Sequence, residues 1–176
     1  MPQLFGQSLF VNRSDLFQDC HRWFIKAINL IKKAKQADLH VAIETTGNYS
    51  SSLLEEASPY IDLFLFDIKH IDHQKLKSVT GMNPELVFHN FEQLATSRPD
   101  DIIARVPVIP GFNLDDLPEI IHYLSRFNVK VNLLPFHNLG KAKWQQLHRD
   151  YQFDHLNALD PDDLKQYVND HITIGG

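Results

Sequence analysis

The chain has 176 residues, 43% of them apolar and 22% charged, with 17 basic against 22 acidic residues and a formal net charge of −5. That length suits one domain able to bury roughly 70% of its unfolded surface, and the acidic balance argues against nucleic acid or an anionic membrane as the main partner. The single cysteine, Cys20, excludes an internal disulfide framework and a Cys-only metal site built by this chain alone, and it fits a reducing cytoplasm. No apolar run nears the roughly 18 residues that span a bilayer, and Met1 to Phe10 lacks the basic start and long apolar stretch of a signal peptide. A cytoplasmic protein is expected.

Leu16, Phe17, Cys20, Phe24, Ala27, Ile28, Ile31 and Ala34 recur at helical spacing, so a long amphipathic helix is predicted over 14–36, capped by Ser14 or Asp15. Cys20 reads as a buried core thiol of that helix, and Lys32, Lys33 and Lys35 as its solvated last turn. A short apolar strand, Leu39 to Ile43, then runs into the polar turn Glu44-Thr45-Thr46-Gly47-Asn48. The pattern repeats: a helix near 50–58, a strand over 61–66 ending in Asp67-Ile68-Lys69-His70, and helices near 72–79 and 84–96. A buried strand over 102–106 leads to Pro107-Val108-Ile109-Pro110-Gly111, a helix follows over 115–126, and a strand from 128 or 129 to 134 ends in Pro135-Phe136-His137. Helices over 141–148 and 161–169 and a weak last strand over 171–174 complete the chain.

Strands that alternate with helices and are apolar on both faces are parallel strands covered by helices. Four firm strands and a weak fifth are too few for a closed eight-stranded barrel of about 250 residues. The expected fold class is therefore α/β, an open sheet or a partial (β/α) barrel, in a single domain over 1–176.

Polar groups stand at the C-terminal ends of four successive strands: Glu44-Thr45, Asp67 with Lys69, Arg105 and His137. That edge is where parallel α/β folds bind ligands. Singly each has a bland explanation, as a helix cap, a surface pair, an ion-paired arginine or one of ten histidines. Together they suggest a zwitterionic, nucleoside-bearing ligand. Carboxylates suit an amino group or a metal ion, Arg a carboxylate or a ribose oxygen, and a His ring stacks on a base.

Several segments resemble the activating enzymes of glycyl radical enzymes, the pyruvate formate-lyase activating enzyme family of the radical S-adenosylmethionine (SAM) class. They are Ala42-Ile43-Glu44-Thr45-Thr46-Gly47, Phe64-Leu65-Phe66-Asp67-Ile68-Lys69-His70, Ala104-Arg105-Val106-Pro107-Val108-Ile109-Pro110-Gly111-Phe112-Asn113, and Leu133-Leu134-Pro135-Phe136-His137-Asn138-Leu139-Gly140-Lys141-Ala142-Lys143-Trp144. Val79-Thr80-Gly81 and the closing Thr173-Ile174-Gly175-Gly176 also fit, in order, from about Leu39 onward.

The resemblance implies a partial (β/α) barrel, truncated relative to the radical SAM core, with SAM at the strand ends. It implies a [4Fe–4S] cluster as second cofactor, a glycyl radical enzyme (a pyruvate formate-lyase-like protein) as partner, and an electron donor such as flavodoxin. By position, Arg105 would contact SAM and His137 would lie against its adenine. Glu44, Thr45 and Asp67 would hold a monovalent cation, with Glu44 one methylene longer than the family's usual Asp. Asp67 and Lys69, as the catalytic pair, would meet the partner's glycine loop.

The family's Cys-x3-Cys-x2-Cys cluster motif is missing, since Cys20 is the only cysteine; three thiolates are needed to hold the cluster and leave one iron open. The nearest match to the family's Gly-Gly-Glu-Pro segment is Phe5-Gly6-Gln7-Ser8, and residues 1–38 match the family poorly. The chain therefore reads as the C-terminal part of an activating enzyme, inactive alone. The alternative is a non-catalytic module that binds SAM or a partner. A third reading, a barrel enzyme for a phosphorylated substrate, is disfavoured because the seven glycines form no phosphate loop. An uncovered edge near Leu39–Ile43 would favour a homo-oligomer.

Overall fold

The computed structural model describes residues 16–137, 146 and 153–175, with side chains from residue 26 onward among them. Its elements are α1 (Leu16–Gln36), β1 (Ala42–Thr45), α2 (Ser51–Ala57), β2 (Leu63–Asp67), α3 (His73–Thr80), α4 (Pro84–Ser97), β3 (Ile102–Val108), α5 (Leu117–Leu124), β4 (Lys130–Pro135), a 3-10 turn over Pro161–Tyr167 and β5 (Ile172–Ile174). The five strands pair in the order β1-β2-β3-β4-β5, all parallel.

That order carries the architecture. A parallel crossover is right-handed, so a strand sequence that never reverses direction across the sheet puts every connection on the same face. A doubly wound sheet reverses its order and is covered on both sides. This chain is instead an arc of a (β/α) barrel, in agreement with the alternation of its sequence.

Side chains on successive strand positions point to opposite faces. Phe64, Phe66, Ala104, Val106, Leu133 and Val131 form one set, each at most 5% exposed, and they share a core with Leu54, Val87, Phe91, Leu94, Leu117, Ile120 and Leu124 of the helices. Phe66 meets Phe91 of α4 edge to face at 5.3 Å. The alternate set, Leu63, Leu65 and Asp67 of β2 and Ile103, Arg105 and Pro107 of β3, is only half-buried. This second face is the concave side of the arc.

Local chemistry accounts for the boundaries. Asp72 caps α3 by accepting from the N–H groups of Gln74 and Lys75, and Gly81 ends it at φ 71°. Asn83 caps α4, with Pro84 at its first position, where no N–H is needed.

The structure departs from sequence expectation in four places. The first strand starts at Ala42, not Leu39, and runs through Glu44 and Thr45; Leu39 is 57% exposed and pairs with no strand. The third strand continues to Val108, past Pro107, so Arg105 lies inside it. Residues 161–167 form a 3-10 helix that buries only Leu164, too little apolar surface for an α-helical face. Lys32 and Lys35 do not simply meet solvent: Lys32 pairs with Glu56 at 2.8 Å and Lys35 with Asp62 at 2.6 Å, tying α1 to the layer below. The expectations for Cys20, for Phe5–Ser8 and for a helix over 141–148 fall outside the described residues or side chains, save for Gln146.

Two tests follow from this packing. Gly47 sits at φ +70°, and a Cβ there would collide with the Phe66 ring. Gly47→Ala is expected to cost about 2 kcal/mol or more in urea unfolding; an unchanged midpoint would contradict the packing. Asp62 accepts from Lys35 and from the Val41 N–H at 2.7 Å, and the Lys35 bond foremost holds its carboxyl below the usual range. Its contribution is fully present above the unfolded value near ~4 and is lost as pH falls through the lower folded value. Asp62→Asn should therefore lower stability at neutral pH and flatten the pH dependence below ~4, as read by thermal melts across pH.

Candidate functional site

The register of the sheet brings the charged strand-end residues to the concave face. Asp67, the last residue of β2, is level with Arg105 of β3, and Arg105 is level with Asn132 of β4. Asn132 is level with Thr173 of β5, and Glu44 of β1 with Leu65 of β2, two residues before Asp67. Counting by two along each strand places Glu44, Asp67, Arg105, Asn132 and Thr173 on one side.

Arg105 is the centre. Its Nε donates to Asp67 Oδ1 at 2.9 Å, its Nη2 lies 2.8 Å from the same oxygen, and its Nη1 lies 3.0 Å from Glu44 Oε1. Lys69 Nζ reaches the other Asp67 oxygen, Oδ2, at 3.3 Å. Two carboxylates thus face two cations, and the cluster has no net formal charge. The Arg105 side chain is 15% exposed, Asp67 19% and Glu44 54%. Burial pulls the Arg105 pKa down, but the Glu44 and Asp67 carboxylates outweigh it and the net direction is up. The guanidinium is a permanent cation at this face.

Thr45 is placed elsewhere. Strand alternation turns its side chain to the helix side, where its hydroxyl lies 3.2 Å from the Tyr49 hydroxyl and accepts the Gly47 N–H at 3.0 Å. That loop is pinned by Asn90 of α4, which donates to the Gly47 and Tyr49 carbonyls at 2.8 Å each. His137 is exposed two residues past the end of β4, at the same edge of the sheet. Among the described residues no group of three or more His, Cys, Asp or Glu side chains is arranged to hold a metal ion. Nor is any helix there long and apolar enough to cross a membrane.

Two residues inside the quoted motifs had been given no role. Asn113, fully buried, and His70, 2% exposed, stand directly behind the turn that carries Lys69. For Asn113 the available signal was a polar residue between Phe112 and Leu114, just after the Pro110-Gly111 turn.

No family model matches the chain. It is 35% identical over 150 residues to the 4-hydroxyphenylacetate decarboxylase activating enzyme of Clostridioides difficile (strain CD196), covering 83% of this chain and 48% of that protein. It is 35% identical over 147 residues to the choline trimethylamine-lyase activating enzyme of Oleidesulfovibrio alaskensis, covering 80% and 47%. It is 34% identical over 158 residues to the trans-4-hydroxy-L-proline dehydratase activating enzyme of Clostridioides difficile, covering 84% and 52%. The chain thus spans about half the length of the curated relatives it matches. In fold it is similar to the crystal structure of a domain of pyruvate-formate lyase-activating enzyme from Bacteroides vulgatus ATCC 8482, with a TM-score of 0.67, 22% identity, and coverage of 95% of this chain and 97% of that one.

The unequal burial of the two ion pairs gives a measurable asymmetry. A double-mutant cycle on unfolding free energy is expected to give about 1.5 kcal/mol or more for Asp67–Arg105, a largely shielded ion pair with a charge-assisted hydrogen bond. Glu44–Arg105 should give less than about 1 kcal/mol, because Glu44 is solvent-screened. A larger coupling for Glu44 would contradict the geometry.

Proposed function

We propose that this chain, a homologue of the glycyl-radical-enzyme activating enzymes, forms the ligand-facing and partner-facing part of such an enzyme. The observation that carries this reading is the Glu44–Arg105–Asp67–Lys69 cluster on the concave face of the sheet.

With a [4Fe–4S] cluster and SAM bound, the enzyme would be supplied with a one-electron reductive cleavage of SAM to methionine, whose adenosyl part would take a hydrogen atom from a glycine of the partner. The residues of this chain do not fit the cluster by themselves, because its sequence has a single cysteine and three thiolates are required. The cluster ligands would come from outside this sequence, and the chain alone would be inactive.

The concave face suits SAM better. The contacts named for Arg105 use three of its five N–H groups; the other two would receive a ligand carboxylate or ribose oxygen. His137 would offer its ring to the adenine from the same sheet edge. Glu44 and Asp67 would share a monovalent cation, with Thr45 joining through its main-chain carbonyl, since its hydroxyl is turned to the helix side. Lys69 and Asp67, at the tip of β2, would meet the glycine loop of a glycyl radical enzyme. An electron donor such as flavodoxin would serve the cluster. Self-association would run through β1, which ends the described sheet on one side.

Calorimetry with SAM tests the ligand assignment. The chain is expected to bind it, and Arg105→Gln to weaken binding at least tenfold, the scale of one lost charge-assisted contact. Anaerobic reconstitution should add no iron above background. Joining a Cys-x3-Cys-x2-Cys segment should add both a cluster and SAM cleavage. A joined protein that carries the cluster yet never cleaves SAM would sink the enzymatic reading, and SAM binding without cleavage would leave the binding module.

A further inference from the structure

The turn that leaves β2 is held in place by residues with no role in the reading above. The parallel ladder between β2 and β3 ends with the Ile68 N–H donating to the Arg105 carbonyl at 2.8 Å. In a parallel ladder the next donor, two residues past Arg105, is Pro107, which has no N–H. The strands are therefore free to part at Asp67 and Lys69.

A side chain takes over where the backbone stops. The Asn113 amide nitrogen donates to the Lys69 carbonyl and to the Pro107 carbonyl, both at 2.8 Å. Its Oδ1 accepts the Ile109 N–H at 2.7 Å. Both N–H groups of the fully buried carboxamide are thus spent on bridging the two strand ends.

One residue further on, His70 makes a second link to the same loop. Its Nδ1 accepts the Asp72 N–H at 3.0 Å, which puts the ring proton of the neutral form on Nε2. That Nε2 lies 3.1 Å from Asp116 Oδ2, and Asp116 is also bound by Lys75 at 2.5 Å. The Phe112 ring closes edge-on over the imidazole at 5.2 Å.

We propose that Asn113 and His70 form a clamp between the β2 turn and the loop after β3, and that its function is to position Lys69. They are positioning residues, buried behind the turn. The clamp fixes the backbone of Lys69 at its carbonyl and again at the following turn, so the ammonium stays over Asp67 for the docking of a partner loop. This role rests on the assignment of Lys69 to the partner face. The existence of the clamp does not.

The test uses the full chain, with lysines reductively 13C-dimethylated and backbone amides followed by hydrogen exchange. In Asn113→Ala the Lys69 methyl signal is expected to move to the position of solvated lysines. Protection of the Ile68 and Asp72 amides is expected to fall at least tenfold. The Lys35 signal, held by Asp62 on another part of the fold, and the amides of β4 should not change. An unchanged Lys69 signal and unchanged amides would overturn the clamp, and so would loosening that reaches Lys35 equally. If Asn113→Ala does not fold, His70→Gln gives the same comparison with the carboxamide intact. A peptide carrying the glycine loop of 4-hydroxyphenylacetate decarboxylase separates the two readings. Binding that Lys69→Ala leaves unaltered would remove Lys69 from the partner face, while the lysine and exchange signals still decide on the clamp.

Discussion

Among the described residues the crossovers return to the same side of the sheet, because parallel connections are right-handed and the strand order runs from β1 to β5 without reversal. The helices therefore stack on one face, and the strands divide their side chains between two unlike surroundings. Phe64, Phe66, Ala104 and Val106 go into a closed apolar core. Leu65, Asp67, Ile103 and Arg105 go to a concave surface with no helix layer of its own among the described residues. A charged residue on the first face would have to shed its water against Phe91 and Leu94. On the second it keeps part of its hydration and can reach its neighbours across the strands. The division by face places charge near the sheet edge where the loops converge.

Electrostatics then shapes what the surface can accept. Arg105 is drawn toward β1 and β2 by two carboxylates, and Lys69 balances the second oxygen of Asp67. The cluster carries no net formal charge, yet it holds both signs within one patch. The exposed Glu44 is the member most easily displaced, since its bond to Arg105 competes with water. The less exposed Asp67 is the anchor.

The turn between Asp67 and His73 shows how precision is kept at a strand end. Pro107 ends the backbone ladder, and a buried carboxamide and a buried imidazole replace it with side-chain bonds of 2.8–3.1 Å. Such links are directional and fully satisfied, so they hold the turn more rigidly than solvated backbone would. The neighbouring loop at Gly47 uses the same device, with Asn90 holding two carbonyls from the helix side. Both loops that flank the charged cluster are pinned from behind by an asparagine.

Alternation of apolar runs with helical periods made the α/β class, the strand count and the parallel pairing readable from sequence. The strand-end motifs identified the homologous family. Boundaries were less readable: Leu39 and His40 look like strand residues, but at the start of the first strand no neighbour covers them, and pairing begins only at Ala42. Pro107 reads as a strand breaker, yet it breaks only the pairing with β2; β3 continues because it stays paired with β4 through Val108. The lysines at the end of α1 look solvated until the fold brings Glu56 and Asp62 beneath them.

The sequence by itself determined which residues carry charge at the strand ends and in what order, because hydrophobic period and turn chemistry are local properties. Only the tertiary structure decided which of them meet. Register sets Asp67 beside Arg105, strand alternation turns the Thr45 hydroxyl away from Glu44, and packing of the 109–116 loop brings Asn113 within bonding distance of a residue 44 positions earlier. Contacts between distant segments depend on how strands align and which face a side chain takes, and neither is written in any short stretch of chain.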